Sequence, residues 1–468
     1  MVNGKLILIG LAIFCSSTVY GQTLEQAKKM FTEGNFEESK PVFEKLVKQS
    51  PSNASYNFWY GACCFETGEY SQSQPYLEKA AKRQVINAYL YLGRLYYKLY
   101  RFEEAVDNIE EHIMWLEKKK RDTEAAEAEL DRCRRAERMI RAVENVAVID
   151  SFVVDKNEFL SAYRLSKETG TISFTDDGGT QFVSEMGDKR FFPKADSEGK
   201  TELYMQSKMI DKWGRAEALE SLNARAENLG YPFMDSDGIT FYYAAESEES
   251  IGGYDIFVTR YDSEDGTFLR PNNIGMPFNS TANDYMYVID DFNGLGWFAS
   301  DRFQPDDKVC VYVFVPNEQR ISYDYEETDQ DLMICLASLQ SIKATWTDPD
   351  LTRQGRQLLA AALYSREESK VKKDFEFVIN DNKVYTKLAD FRSSEARSTF
   401  QQYLQKQKEL TALEESVEKQ RITYSSSSKS GKEKMSATLL AQEKLENNLR
   451  HEVQELALKA RNIENSVL

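Results

Sequence analysis

Apolar and polar positions change their period twice along the chain. From about residue 23 to 145 apolar side chains recur at helical spacing, punctuated by small residues. Gly34, Phe36 and Ser39 return as Gly68, Tyr70 and Ser73, an offset of 34. Phe102 and Ala105 continue the series at slightly shorter spacing, and Gly61 is answered by Gly93. Such a period predicts stacked helix–turn–helix units, closed by a charged helix over about Thr123 to Val143. From about 146 to 320 the period falls to two. Aromatic and β-branched runs such as "VAVIDSFVVD" and "AYRLSKETGTISF", separated by Gly, Asp, Asn and Pro, predict an all-β region.

Within that region one grammar is written three times: a short strand, a polar loop with acids and glycine, then a strand ending in an aromatic. Arg190-Phe191-Phe192 leads to Glu202-Leu203-Tyr204, Thr240-Phe241-Tyr242 to Asp255-Ile256-Phe257, and Gly296-Trp297-Phe298 to Val311-Tyr312-Val313. A spacing of roughly 50 residues fits one propeller blade per repeat. A fainter fourth copy lies near Tyr163 to Phe174. Beyond residue 321 the pattern turns helical again, with "DLMICLASLQSI" and "RQGRQLLAAALYS" as amphipathic helices and "DFEFVINDNKVYTKL" as a β-hairpin turning at Asn380-Asp381-Asn382. From Ser393, Tyr403, Leu410 and Val417 lie seven apart with Leu413 on the same face; Leu449, Leu456 and Ile463 repeat the spacing, with Leu445, Val453 and Ala460 filling the seam. The low-complexity stretch Ser425 to Lys434 between them predicts the turn of an antiparallel helical hairpin, able also to form a coiled coil with another chain.

The first region resembles tetratricopeptide (TPR) repeats. Gly61 and Gly93 fall at the small position of the first helix, Phe36, Tyr70 and Phe102 at the aromatic position opening the second, and Pro51 at the closing proline. Ser39 and Ser73 replace the usual alanine, and the second unit lacks its proline. The middle region resembles the WD40-like β-propeller repeats of periplasmic proteins of the TolB kind. In "YPFMDSDGITFYYAAE…GGYDIFV", Asp235-Ser236-Asp237-Gly238 stands for the usual Ser-Pro-Asp-Gly turn, and "FASDRF" matches the strand-end Ser-Asp-Arg. TPR followed by WD40-like repeats resembles cell-envelope proteins of Bacteroidota, whose relatives often end in an OmpA-like peptidoglycan-binding domain and serve envelope or type IX secretion assemblies. No such domain is expected here. The resemblance covers residues 23 to about 315, and nothing matches the C-terminal third.

The expected organisation is multidomain α + β: a signal peptide over 1–21, a TPR-like α-solenoid over 22–145, a WD40-like propeller-type domain over 146–320, helices plus a β-hairpin over 321–392, and the helical hairpin over 393–468. Lys5, the apolar run Leu6 to Phe14 and the small and polar residues up to Gly21 predict Sec export to the periplasm, in association with the outer membrane. Phe14 is bulky where a lipobox requires a small residue, which argues against lipidation at Cys15. No later run approaches the length of a membrane span. Among 468 residues, 76 acidic against 59 basic side chains give a net charge of −17, which disfavours nucleic acid and anionic membrane surfaces as partners.

Chemistry is sparsely signalled. His112 and His451 are the two histidines, both in helical segments, so a Ser-His-Asp hydrolase in the β region lacks its base. Cys63, Cys64, Cys133, Cys310 and Cys335 have no metal-ligand spacing, and a disulfide is not signalled. Asp176-Asp177 and Asp235 with Asp237 are the best acid pairs, but each sits before glycine as in a tight turn; calcium at Asp235 and Asp237 is the lesser reading. No catalytic residue, cofactor or metal is expected. Tyr242, Tyr254, Tyr285 and Trp297, with Tyr243 and Tyr287, either line a peptide or glycan groove or pack between blades, and packing is the commoner use of alternating aromatics. The expected function is a non-enzymatic envelope scaffold. It would dock other envelope proteins through the concave TPR face and the C-terminal helices, which would also serve a homo-oligomer. A carbohydrate- or peptide-binding propeller is the alternative, and a carboxylate-dependent hydrolase a more distant one.

Overall fold

The computed structural model describes residues 24–209, 212–370, 375–380, 383–426 and 429–468; the expected signal peptide lies outside them. The chain divides into two compact units, Met1–Tyr364 and Ser365–Leu468, and the cut falls inside the segment 321–392.

The first unit opens with helices α1 (Leu24–Thr32), α2 (Phe36–Gln49), α3 (Ala54–Glu66), α4 (Tyr70–Ala81), α5 (Ile86–Lys98), α6 (Phe102–Lys118) and α7 (Glu124–Ile140). The α1–α2, α3–α4 and α5–α6 junctions each turn through one left-handed residue: Gly34 at φ +82°, Gly68 at +75° and Tyr100 at +59°. In each, the following N–H reaches back five positions to a helix carbonyl: Asn35 to Met30 at 2.9 Å, Glu69 to Cys64 at 2.7 Å and Arg101 to Tyr96 at 2.9 Å. That bond closes a helix whose next residue is left-handed. The repeated small positions follow from helix contact. A Cβ on Gly61 would lie 2.9 Å from Leu77 Cγ in α4, and one on Gly93 2.5 Å from Ile109 Cδ1 in α6. Serine at the alanine positions is also accounted for, because Ser73 Oγ donates to the Gly61 carbonyl at 2.7 Å and Ser39 Oγ to that of Phe36 at 3.0 Å.

Three antiparallel sheets follow. The first holds β2 (Thr171–Phe174), β3 (Thr180–Val183), β4 (Lys189–Ala195), β5 (Thr201–Met209) and β6 (Lys212–Trp213) in chain order, with β7 (Glu217–Ala218) also on β5. The short helix α8 (Glu220–Asn223) leads to the second sheet: β8 (Glu227–Met234), β9 (Thr240–Glu246) and β10 (Asp255–Asp262), with β11 (Thr267–Phe268) and β12 (Asn272–Asn273) on β10. The third runs β13 (Asp284–Asp290), β14 (Leu295–Ser300), β15 (Lys308–Val315), and its outer strand is β1 (Ala147–Asp155), the first strand of the region. The three written copies are the β4–β5, β9–β10 and β14–β15 pairs. In them Phe192 faces Tyr204, Tyr243 faces Phe257 and Phe298 faces Tyr312, with ring centroids 6.2, 5.8 and 5.0 Å apart. Stacked cross-strand aromatics are what the repeat encodes. The faint fourth copy is not a repeat: Thr171–Phe174 is strand β2 of the first sheet, and Tyr163 lies in the connection from β1, its hydroxyl donating to the Met286 carbonyl at 2.7 Å.

Helix α9 (Gln330–Ser338) and, as far as Tyr364, helix α10 (Pro349–Lys370) return to this unit. Met333, Leu336 and Ala337 of α9 share one core with α3–α7 and with Ile251 and Met276 of the β region, while Leu359 and Ala362 of α10 join the sheet core. At the junction of helices and sheets, Tyr97 of α5 donates its hydroxyl to the Ile251 carbonyl. The N–H groups of Ile251 and Gly252 are held in turn by the buried Asp255 carboxylate at 3.0 and 2.9 Å. Beside it, buried Arg302 bonds the carbonyls of Pro277 and Phe278 and the Asp284 carboxylate.

In the second unit, β16 (Phe377–Asn380) pairs with β17 (Lys383–Tyr385) as the expected hairpin; its tip at Asp381 and Asn382 lies outside the described residues. Helices α11 (Ser394–Ser426) and α12 (Lys429–Asn465) pack along each other. They take up most of the stretch 425–434 expected as a turn, of which 427 and 428 are not described. Phe377, Tyr385, Phe391 and Phe400 form the core where hairpin and helices meet. The inter-helix seam buries Leu410, Val417, Val453 and Ala460 as expected. Leu445, however, is 56% exposed, and Glu446 takes the seam position. Its carboxylate accepts from Arg450 at 2.7 Å and lies 3.6 Å from Arg421.

Candidate interaction site

The side chains singled out as a binding surface separate into two groups. Trp297 has no exposed surface and packs beside Tyr163 with centroids 5.7 Å apart, while Tyr242 packs on Tyr287 at 4.7 Å. Both are packing residues, and Trp297 as part of a ligand surface is corrected. The physical reason is burial on both faces: β14 is covered at every position, Trp297 facing one core and its neighbour Phe298 another, so no ring of that strand is left for a ligand. Tyr254 and Tyr285 do border an opening. With Phe159, Phe174 and Tyr231 they line a cleft of about 400 Å³ between the first sheet and the other two. Tyr285 is only 2% exposed and forms the floor, so half-buried Tyr231 and Tyr254 are the rings a ligand would meet. The Tyr231 ring stacks on Tyr285 at 4.8 Å and meets Tyr254 edge-on at 5.7 Å. Burial raises all three phenols above their ordinary value, so they enter as neutral hydroxyls. At one edge, Asp301 accepts from Lys156 Nζ at 3.2 Å and from Asn283 Nδ2 at 2.8 Å.

The acid pairs do not converge. Asp177 borders the tyrosine cleft, whereas Asp235 borders a different cavity. Asp237 is committed to its own turn, accepting from the N–H groups of Ile239 and Thr240, both at 2.7 Å. Burial, with the charges of Asp291 and Asp237, pushes the Asp235 carboxyl up to about 6. Among the described residues no group of three or more His, Cys, Asp or Glu is placed to hold a metal ion. Buried His112 has Nδ1 3.0 Å from the Ile86 carbonyl, and burial keeps its imidazole below the usual value; His451 is exposed on α12.

A second surface runs across the helical array. Helices α3 and α5 touch directly, which places the first helix of each unit on the inner side of the stack. Half-buried aromatics line up there: Phe31 of α1 meets Trp59 of α3 at 5.2 Å, and Phe65 of α3 meets Tyr91 of α5 at 5.6 Å. Arg94 lies over the Tyr91 ring and holds Glu129 of α7 through two nitrogens, at 2.9 and 3.1 Å. Repeat spacing made the helices legible, but this ladder emerges only when rings from separate units are brought together.

A match to a known family falls on this part of the chain. The family described as "Anaphase-promoting complex, cyclosome, subunit 3" matches residues 33–112. A solved structure described as "MamA RS-1 ArsTM double mutant" is similar at 19% identity, over 24% of this chain and 72% of that one, with a TM-score of 0.19. No curated protein matches the chain. No helix among the described residues is long and apolar enough to cross a membrane. The N-terminal part is a tetratricopeptide-like helical repeat array, set before a many-stranded β region and C-terminal helices.

Proposed function

We propose that this protein is an exported, non-enzymatic scaffold of the bacterial cell envelope, joining other envelope proteins within a secretion or outer-membrane assembly. The observation that carries the reading is the aromatic ladder from Phe31 to Tyr91, ending in the Arg94–Glu129 pair, on the inner side of a TPR-like array. Arrays of this kind present an extended face that suits a protein segment. The β region is read as a small WD40-like propeller of three blades, closed by β1 on β15, and the helical hairpin as a further docking or self-association element. The test is a cross-linked pull-down from envelope fractions with the intact chain, with Tyr91→Ala/Arg94→Glu, and without residues 393–468. Loss of partners from the array variant supports the reading; an unchanged partner set from both variants overturns it.

The tyrosine cleft favours a second reading, a carbohydrate- or peptide-binding β region, because Tyr231 and Tyr254 offer ring faces beside the polar Lys156–Asp301 edge. Titration with glycan and peptide libraries, repeated on Tyr254→Ala, decides it. A ligand whose binding survives that substitution does not use the cleft.

A further inference from the structure

One end of the β region carries three strand-connecting turns, one from each sheet: residues 184–188 between β3 and β4, 235–238 between β8 and β9, and 291–294 between β13 and β14. The second and third are tied by Ser236 Oγ donating to the Asp291 carboxylate. Between the turns lies a cavity of about 490 Å³. Phe182, Phe191, Met205 and Met234 make its apolar floor, and Met186 and Phe292 stand on its rim. These two are 84% and 61% exposed, although each sits in a turn where a polar residue would do. Large apolar side chains held out beside an apolar cavity mark an interaction site rather than a fold requirement, and thioethers on floor and rim let the walls adapt to what enters.

The charge around the cavity is one-sided. Glu168, Glu185, Asp188 and Asp235 line it against the single ammonium of Lys189, and Asp291 adds a further carboxylate at the third turn. We propose that this groove docks a basic segment of a partner protein, one that inserts a large apolar side chain between flanking lysines or arginines. The apolar anchor fills the Phe182–Met205–Met234 floor under Met186 and Phe292, and the flanking cations face the acidic rim. A neutral apolar segment would leave the carboxylates unpaired, and an acidic one would be repelled. This proposal rests on the scaffold reading, in that the occupant is a protein, but names a different surface and a chemistry for it.

The experiment is fluorescence anisotropy on the full chain with three labelled peptides of about a dozen residues, long enough to cross the groove. One carries Leu and Phe between lysines, one has glutamates for the lysines, and one has serines for Leu and Phe. The expected result is binding of the first alone, weakened as salt rises from about 50 to about 500 mM. Met186→Ser/Phe292→Ser should lower its affinity at least about tenfold, and Glu185→Gln/Asp235→Asn about threefold, with unchanged far-UV circular dichroism. The proposal is overturned if the first peptide does not bind, if the acidic peptide binds as well, or if the rim variant binds normally. The array variant Tyr91→Ala/Arg94→Glu should keep peptide binding while losing envelope partners, so failure of the groove and failure of the scaffold reading are told apart.

Discussion

Tyr100 stands where the two preceding turns carry glycine, and it holds the left-handed conformation at a cost of about 1 kcal/mol. Burial of its ring beside Phe102, at 5.4 Å, offsets that cost, so one turn of the array is fastened by tertiary packing. Gly252 shows the opposite demand. A Cβ there would lie 1.8 Å from the Ala282 carbonyl oxygen, a backbone atom that cannot swing aside. Gly252→Ala should therefore destabilise the first unit by about 3 kcal/mol, whereas Gly34→Ala, which meets no atom within 4 Å, should cost only about 1 kcal/mol; urea midpoints compare the two. Asp255, three residues on, is pushed from 3.8 up to about 7, chiefly by burial and then by the nearby Asp284 charge. Its folded pKa is raised, so folding favours the protonated acid. The contribution of Asp255 to stability is then full below about 4 and falls by up to about 1.4 kcal/mol per pH unit until about 7. Asp255→Asn should remove that slope, and melting temperatures of both proteins between pH 4 and 8 will check it; parallel curves would refute the assignment. None of this was legible in the sequence, where Asp255 reads as one more acid at a strand start.

Among its described residues the helical hairpin contains two buried carboxylates with contrary expectations. Glu464, near the end of α12, accepts from the Tyr385 hydroxyl at 2.9 Å and from the N–H groups of Arg392 and Ser393 at 2.7 and 3.1 Å, just ahead of α11. Glu464→Ala leaves those three donors unpaired and should cost about 3 kcal/mol. Glu446 is different, because its partners Arg421 and Arg450 are near-half exposed and reach water without it. Glu446→Leu should be neutral or stabilising by about 1 kcal/mol. Amide hydrogen exchange in α11 and α12 measures both in the intact chain, which has no tryptophan beyond residue 346 to report on this unit. The seam itself was legible from the seven-residue spacing of Tyr403, Leu410 and Val417. The exception, Leu445 for Glu446, was not, because hydropathy cannot see that two arginines will share a carboxylate across helices. The strands were legible for the same reason as the seam, since period two and paired aromatics record burial directly.

At the scale of the whole molecule, the order of helical array, sheets and helices could be read from the changes of period, while the surfaces could not. Met186 and Phe292 look like stray hydrophobics in polar turns until three sheets bring them to one rim, and Tyr231 and Tyr254, in and next to strands of the second sheet, meet Tyr285 of the third only across a sheet boundary. A chain ending at Lys370 should retain cooperative unfolding followed by its five tryptophans, since none lies beyond the first unit. Excising residues 147–155 should abolish that transition by leaving β15 with a bare edge in a sheet otherwise buried on both faces. The same pairing has a consequence in time. A ribosome that has released Asp155 must add about 150 more residues before Lys308, its partner in the ladder, exists. At roughly 5–20 residues per second the nascent strand waits about eight to thirty seconds. Its valines meanwhile have no mate, and only Asp150 and Asp155 discourage another polypeptide from taking the place. In protein made in the cytosol without residues 1–21, rare codons placed between positions 155 and 308 should lengthen that interval and send a larger share of newly made protein into inclusion bodies, whereas the same codons placed after 315 should not.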